Sequence, residues 1–229
     1  MQKESIHFIG HCSMAMKTNR GKAVALWIFA AAVAGVSFLF DEPLLAFMKA
    51  HTTPAVLAFG RFGSHYGQWN WLMVPCIIVG LISWCRRDTI CLRILCIMIT
   101  ASILAGLGAN VVRAATGRTR PNAPAAIEQG WYGPRANGQW IVIKADYNAF
   151  PSAHAAASMG LIFPLLLLRK RIGLLLLPVS ILIGAARICV GAHHLSDVMF
   201  GFLLGIAVAI WTTGKMVPLL FPDSELKRV

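Results

Sequence analysis

The chain has 229 residues, 57% of them hydrophobic and only 13% charged, with the apolar residues strung in long blocks between short charged breaks. That pattern excludes a soluble domain and points to one integral membrane domain, because a spanning helix needs about 20 largely apolar residues. The formal net charge of +12 does not indicate a nucleic-acid partner, since Lys and Arg cluster between apolar blocks as cytoplasmic anchors do.

Residues 1–22 form a basic segment expected on the cytoplasmic side. The first block, Ala23–Phe40, has no small-x-small cleavage site before Asp41-Glu42-Pro43 and is expected to stay as the first span. Asp41–Asn70 mixes Pro43, Pro54, Gly60 and Gly63 with an amphipathic stretch expected to lie along the outer surface. Further spans are expected near Trp71–Cys85, Cys91–Val112, Ala153–Leu168, Ile172–Val190 and Val198–Thr213, so residues 23–214 make a six-span membrane domain and 215–229 a cytoplasmic tail. Between the third and fourth spans runs Arg113–Phe150, long, polar and rich in Gly, Pro and Asn. A loop of that length in so small a membrane protein is usually functional.

With the N-terminus inside, four basic residues precede the first span, three lie in Arg86–Arg93, three in Arg169–Arg171 and three after the last span, leaving eight of the 21 outside. The positive-inside rule favours this orientation. Six cysteines are present without a C-x-x-C pair, and five of them, Cys76, Cys85, Cys91, Cys96 and Cys189, fall in or beside apolar blocks. Neither a metal site nor a disulfide framework is expected, and no cofactor is implied.

Three separated stretches carry ionisable residues to the outer ends of spans: "RAATGRTRP" (Arg113–Pro121), "PSAH" (Pro151–His154) and "ARICVGAHHLSD" (Ala186–Asp197). Arg113, Arg120 and Arg187 offer permanently charged forks suited to phosphate oxygens, and so dense a positive cluster calls for an anion. Pro151 suits a first helical turn, which places Ser152 and His154 among unpaired backbone N–H groups. His193 and Asp197 are four apart; on one helical face the carboxylate would accept from one imidazole nitrogen and leave the other free to attack phosphorus. His154 is then placed to protonate a leaving oxygen.

These stretches resemble the three motifs of the type 2 phosphatidic acid phosphatase (PAP2) superfamily, written KxxxxxxRP, PSGH and SRxxxxxHxxxD. Arg113 stands for the lysine, with Arg120-Pro121 at the family spacing; Pro151-Ser152-Ala153-His154 matches the second motif; Arg187, His193 and Asp197 match the third. Ala153 replaces a glycine and Ala186 a serine. The resemblance implies an all-α integral membrane six-helix bundle of the PAP2/haloperoxidase type and a metal-independent phosphatase with a phosphohistidine intermediate. It implies His193 as nucleophile, Asp197 as its orienting partner and His154 as general acid, with Arg113, Arg120, Ser152 and Arg187 holding the phosphate.

The expected substrate is a phosphorylated lipid: undecaprenyl diphosphate, a lipid A phosphate, phosphatidylglycerol phosphate or phosphatidate. The expected place is a bacterial inner membrane, with the site facing the periplasm. A lipid phosphotransferase using the same phosphohistidine is the near alternative. A phosphate-binding or transport protein is the distant one, since Ala155–Leu168 and Met199–Ile210 carry no charge along which an anion could pass. His194 is expected to line the site. For Arg118 and Arg135 a solvated loop charge is the expected state, with a substrate headgroup contact as the alternative.

Overall fold

The computed structural model describes residues 20–222. Lys17, Lys227 and Arg228, assigned above to the cytoplasmic segments, lie outside the described residues.

Apolar blocks become helices because in hydrocarbon each backbone polar group must be satisfied within its own segment. Helix α1 (Arg20–Val36) continues through a 3-10 turn (Ser37–Phe40) into α2 (Asp41–His51). Val24–His51 is therefore one apolar stretch of 28 residues, and Asp41 sits within it, where the sequence reading ended the first span. No breaker precedes Pro43, and Pro43 lies in the first turn of α2, where its missing N–H costs nothing.

Helix α3 (Pro54–Tyr66) starts at Thr53, whose hydroxyl accepts from the Val56 N–H. It meets α4 (Trp69–Cys85) at a 59° bend. The stretch expected along the outer surface is thus two helices, the second of them docked on the bundle. A Cβ added at Gly63 would come within 2.5 Å of the Ala186 Cβ. Helix α5 (Thr89–Thr116) is capped by the Asp88 carboxylate, which accepts from the Cys91 N–H, and ends at Gly117. Gly117 has φ +54°, and a Cβ there would fall 1.9 Å from the Gly133 carbonyl oxygen, so only glycine turns the chain into the loop at this point.

The loop carries a small antiparallel hairpin, β1 (Arg135–Ala136) with β2 (Gln139–Trp140), and a 3-10 turn at Ala145–Tyr147. Helices α6 (Ala153–Leu168), α7 (Lys170–Cys189) and α8 (Leu195–Leu220) complete the bundle.

Among the described residues, four helices are long and apolar enough to cross a membrane, and five if the bent pair α3–α4 counts as one span. The remaining expected span, the fourth in chain order, is α6, which has only 16 residues. It packs against α5, α7 and α8 and is buried almost continuously from Ala155 to Ile162. A helix apolar all round and walled by protein needs no full bilayer length of its own.

Leu72, Ile94, Ile97, Met98, Leu161 and Leu165 anchor an apolar core in one half of the bundle, and a seam of Ala105, Ala109 and Ala156 packs the other half. Along that seam α8 approaches α6 closely: a Cβ at Gly201 would lie 2.6 Å from the Ser152 carbonyl oxygen, and one at Gly205 2.6 Å from that of Ala156. Small residues four apart let two helix backbones approach in this way. Leu26, Phe29, Trp84, Leu175 and Leu219 stay exposed on the outer faces, as lipid-facing residues of a multi-pass membrane protein.

Candidate active site

One end of the bundle collects the last turn of α5, the first turns of α6 and α8, the last turn of α7, the first residue of α2 and the long loop. Each functional side chain sits at or near a helix end, where backbone groups lack helical partners and polar side chains can gather.

His193 lies before α8, in the short connection after α7 whose turn is made by Gly191 at φ +66°. The ring is 1% exposed. Its Nδ1 lies 2.8 Å from the Ala149 carbonyl oxygen and 3.6 Å from Asp197 Oδ2. A carbonyl can only accept, so Nδ1 carries the proton and Nε2 keeps its lone pair. The backbone carbonyl of Ala149 is thus the nearer acceptor on Nδ1, and Asp197, the expected partner, is the second group on the same nitrogen. The helix begins at Leu195, so His193 and Asp197 do not share a helical face despite their i, i+4 spacing.

Asp197 is fully buried in the first turn of α8. Its Oδ2 accepts from the His194 backbone N–H at 2.8 Å and lies 3.3 Å from His194 Nδ1. Its Oδ1 accepts from Arg118 Nη1 at 2.6 Å. His194, expected to line the site, is the N-cap residue of α8 and a neighbour of this carboxylate.

Burial draws the His193 pKa from the usual 6.5 down to about 4; Asp197 pulls it upward, and the charges of Arg113 and Arg187 push it further down. The same causes act on Arg120 in the loop, where burial lowers the guanidinium pKa and the charges of Asp146 and Asp197 raise it.

Ser152 is the N-cap of α6, so Pro151 precedes the helix and does not lie in its first turn as the sequence suggested. The Ser152 N–H donates to the Asp197 carbonyl at 2.8 Å, and its hydroxyl oxygen accepts from the Ala155 N–H at 3.5 Å, which together start the helix at Ala153. His154 thereby falls in the first turn of α6. Its Nε2 is buried with no partner, and so are Nε of Arg120 and Nε of Arg187.

Arg113 donates from Nε to the Pro151 carbonyl at 2.8 Å, and its Nη2 lies 3.4 Å from His193 Nε2. The charges of Arg187, Arg113 and Arg120 all reach the His154 ring. Among the described residues no carboxylate forms an ion pair with Arg113, Arg120 or Arg187. Three half-buried guanidiniums without a counter-ion among the described residues are costly unless an anion occupies the space between them.

Arg118 departs from its expected solvation. It is 8% exposed, bonded to Asp197, Ser196 and Asp41, and it lies over the rings of Phe38 and Trp131. The signal that could have found it is Asp41: a carboxylate in so apolar a chain requires a cation, and Arg118 is the one it meets. Arg135, by contrast, is exposed and stacks on Trp140. Ala186, where the resemblance has serine, is fully buried against α3, and Ala153, where it has glycine, lines a groove beside His154. That groove, of about 570 Å³, runs between the start of α4, α5 and α6, with Trp69, Ile103, Gly106, Leu107 and Ala157 on its walls.

Two lipid A 1-phosphatases are similar to this chain over most of its length. That of Rhizobium etli is 27% identical over 191 residues, covering 79% of this chain and 78% of the relative. That of Rhizobium johnstonii is 25% identical over 186 residues, covering 76% and 72%. A shorter match, 36% identical over 72 residues and covering 30% and 36%, is to the bacitracin transport permease protein BcrC of Bacillus licheniformis.

Two crystal structures share the fold. Aquifex aeolicus LpxE superposes with a TM-score of 0.54 at 20% identity, over 76% of this chain and 94% of that one. A PAP2 type phosphatidylglycerolphosphate phosphatase from Bacillus subtilis superposes with a TM-score of 0.56 at 19% identity, over 84% and 94%. The PAP2 superfamily profile matches residues 94–218, more than half of the chain, which hold every residue named at this site except Phe38, Asp41 and Trp69, and the chain belongs to the PAP2 superfamily.

Proposed function

We propose that the protein is a membrane lipid phosphatase that hydrolyses a phosphate monoester or diphosphate of a lipid through a phosphohistidine intermediate. Its first candidate substrate is the 1-phosphate of lipid A, on the strength of the two Rhizobium relatives that align over three-quarters or so of this chain. The proposed topology is six spans, with α6 as the short fourth, both termini cytoplasmic and the site facing the periplasm of a bacterial inner membrane. Basic residues at the other end of the bundle support that orientation; Asp88 and Arg169 line one cavity there.

The observation that carries the reading is the pairing of an unprotonated, fixed His193 Nε2 with three guanidiniums that have no carboxylate of their own. In the proposed reaction Nε2 attacks phosphorus in line with the leaving oxygen. Arg113, Arg120 and Arg187, with the Ser152 hydroxyl, stabilise the charge on the equatorial oxygens. As the new N–P bond makes the ring cationic, Asp197, 3.6 Å from Nδ1, stabilises it. His154 protonates the departing oxygen, and water then cleaves the phosphohistidine. The lipid portion of the leaving group lies in the groove that His154 lines, whose walls are mostly apolar. Guanidiniums supply the positive charge that a metal ion would otherwise bring, so turnover is expected to survive EDTA.

The test is phosphate release by purified protein from a panel of lipid A, undecaprenyl diphosphate, phosphatidylglycerol phosphate, phosphatidate and a short water-soluble phosphate ester, with EDTA present. The lipids should be turned over and the short ester poorly. His193→Ala should lower turnover by at least about three orders of magnitude while the protein still inserts. Unchanged activity in that variant would sink the assignment, and activity lost on adding EDTA would sink its metal-free form.

A further inference from the structure

The four arginines gathered at this end of the bundle divide into two kinds. Among the described residues Arg113, Arg120 and Arg187 have no carboxylate partner, whereas Arg118 is committed to two. Its Nη1 donates to Asp197 Oδ1 at 2.6 Å and to Ser196 Oγ at 2.7 Å, and its Nη2 donates to Asp41 Oδ2 at 2.7 Å. Asp41 closes the ring: its Oδ1 accepts from the Ser196 N–H at 2.9 Å and its Oδ2 from the Ser196 hydroxyl. The guanidinium carbon lies 5.3 Å from the centroid of Phe38 and 4.8 Å from that of Trp131, which fixes the plane of the fork.

The backbone of the same residue reaches the nucleophile by a second route. The Arg118 carbonyl accepts from the Ala149 N–H at 3.0 Å, and the Ala149 carbonyl is the group that accepts from His193 Nδ1. Arg118 thus holds both groups that flank Nδ1 of His193, the carbonyl of Ala149 and the carboxylate of Asp197, without contacting the attacking nitrogen.

We infer that Arg118 and Asp41 form a positioning clamp for the phosphohistidine chemistry: Asp41, at the start of α2, anchors the Arg118 fork, the fork holds Asp197, and the Arg118 carbonyl holds the Ala149 segment, against the nucleophile. Neither residue binds substrate. The clamp rests on the phosphatase reading above and adds to it an element from outside the matched family region, since Asp41 precedes residue 94. Two carboxylates sharing one guanidinium, with hydroxyl and amide donors on the remaining lone pairs, form a satisfied buried network, whose members act as a unit.

The experiment measures kcat and KM for Arg118→Ala, Arg118→Lys, Asp41→Asn and the double variant Arg118→Ala/Asp41→Asn, on the lipid that the wild-type protein turns over best. Arg118→Ala and Asp41→Asn should each lower kcat by about 10- to 100-fold, as loss of an orienting partner does, with KM within about threefold of wild type. Arg118→Lys should recover part of the loss, and the double variant should be little worse than the worse single one, because both act on one network. If Arg118→Ala fails to insert, Asp41→Asn and Arg118→Lys decide alone. Wild-type kcat in Asp41→Asn, or a loss in Arg118→Lys that appears only in KM, would overturn the clamp. Wild-type protein inactive on every lipid would instead sink the phosphatase reading.

Discussion

A histidine attacks phosphorus only while the attacking nitrogen is unprotonated, and burial secures that condition for His193, the proposed nucleophile. With its pKa drawn to about 4, the ring is neutral across the physiological range. The acid limb of kcat/KM is therefore expected near pH 4, well below the ordinary imidazole value of about 6.5. A pH profile on a substrate whose own phosphate titrations have been accounted for checks this; an acid limb near 6.5 would contradict it. Stability follows the same sign. A depressed folded-state pKa means that the unfolded chain binds the proton first, so the contribution is fully present above about 6.5 and is lost as pH falls through about 4. At this scale the sequence was informative wherever partners are close in the chain. Arg113 and Arg120, Ser152 and His154, and Arg187, His193 and Asp197 are each spaced within one turn or loop, and the structure gathers all of them. Arg118 was not legible, because its meaning depends on Asp41, 77 residues away. The His193–Asp197 spacing suggested a shared helical face, but the helix starts two residues after His193, and a backbone carbonyl joins the carboxylate at Nδ1.

Helix ends carry the site, so the packing of whole helices sets its geometry. Helices α6 and α8 meet along Gly201 and Gly205, and the contact at Gly201 is with the carbonyl of Ser152, the cap of α6. Gly201→Ala would place a methyl 2.6 Å from that oxygen, and backbone gives way only if a helix shifts. The expected cost is about 1–3 kcal/mol, typical of overpacking, together with reduced phosphate release because Asp197 and Ser152 lose their register. Gly214→Ala on the same helix meets nothing within 4 Å and is the control; it should keep both stability and activity. Thermal unfolding in detergent of the two variants side by side gives the comparison, and equal melting temperatures would refute the argument. Apolar blocks announced most of the helices. They could not announce that α1 runs on into α2, or that α3 docks on α7, since both depend on which helix faces which and no local period encodes that.

For the whole molecule, charge is what supports the proposed orientation. Arg86, Arg87, Arg169, Lys170 and Arg171 lie at the turns opposite the site, and the long loop on the side of the site carries the exposed hairpin with Ile143, 92% exposed, just beyond it. With a membrane-impermeant thiol reagent, a chain carrying Ile143→Cys as its only cysteine should label in intact cells. A chain with only Cys85, which is exposed beside Arg86, should label after permeabilisation alone. Labelling of Cys85 in intact cells would invert the topology.

The groove beside His154 bears on where the products go. Trp69, Ile103 and Leu107 line it and are themselves exposed apolar residues on the flank of the bundle, whereas the loop above the arginines is polar. A dephosphorylated lipid would slip sideways into hydrocarbon, and the freed phosphate would leave upward into water. Two products that partition into different phases rarely meet again at the same histidine, so the direction of the reaction would be set by solubility as much as by the chemistry of the bond that breaks.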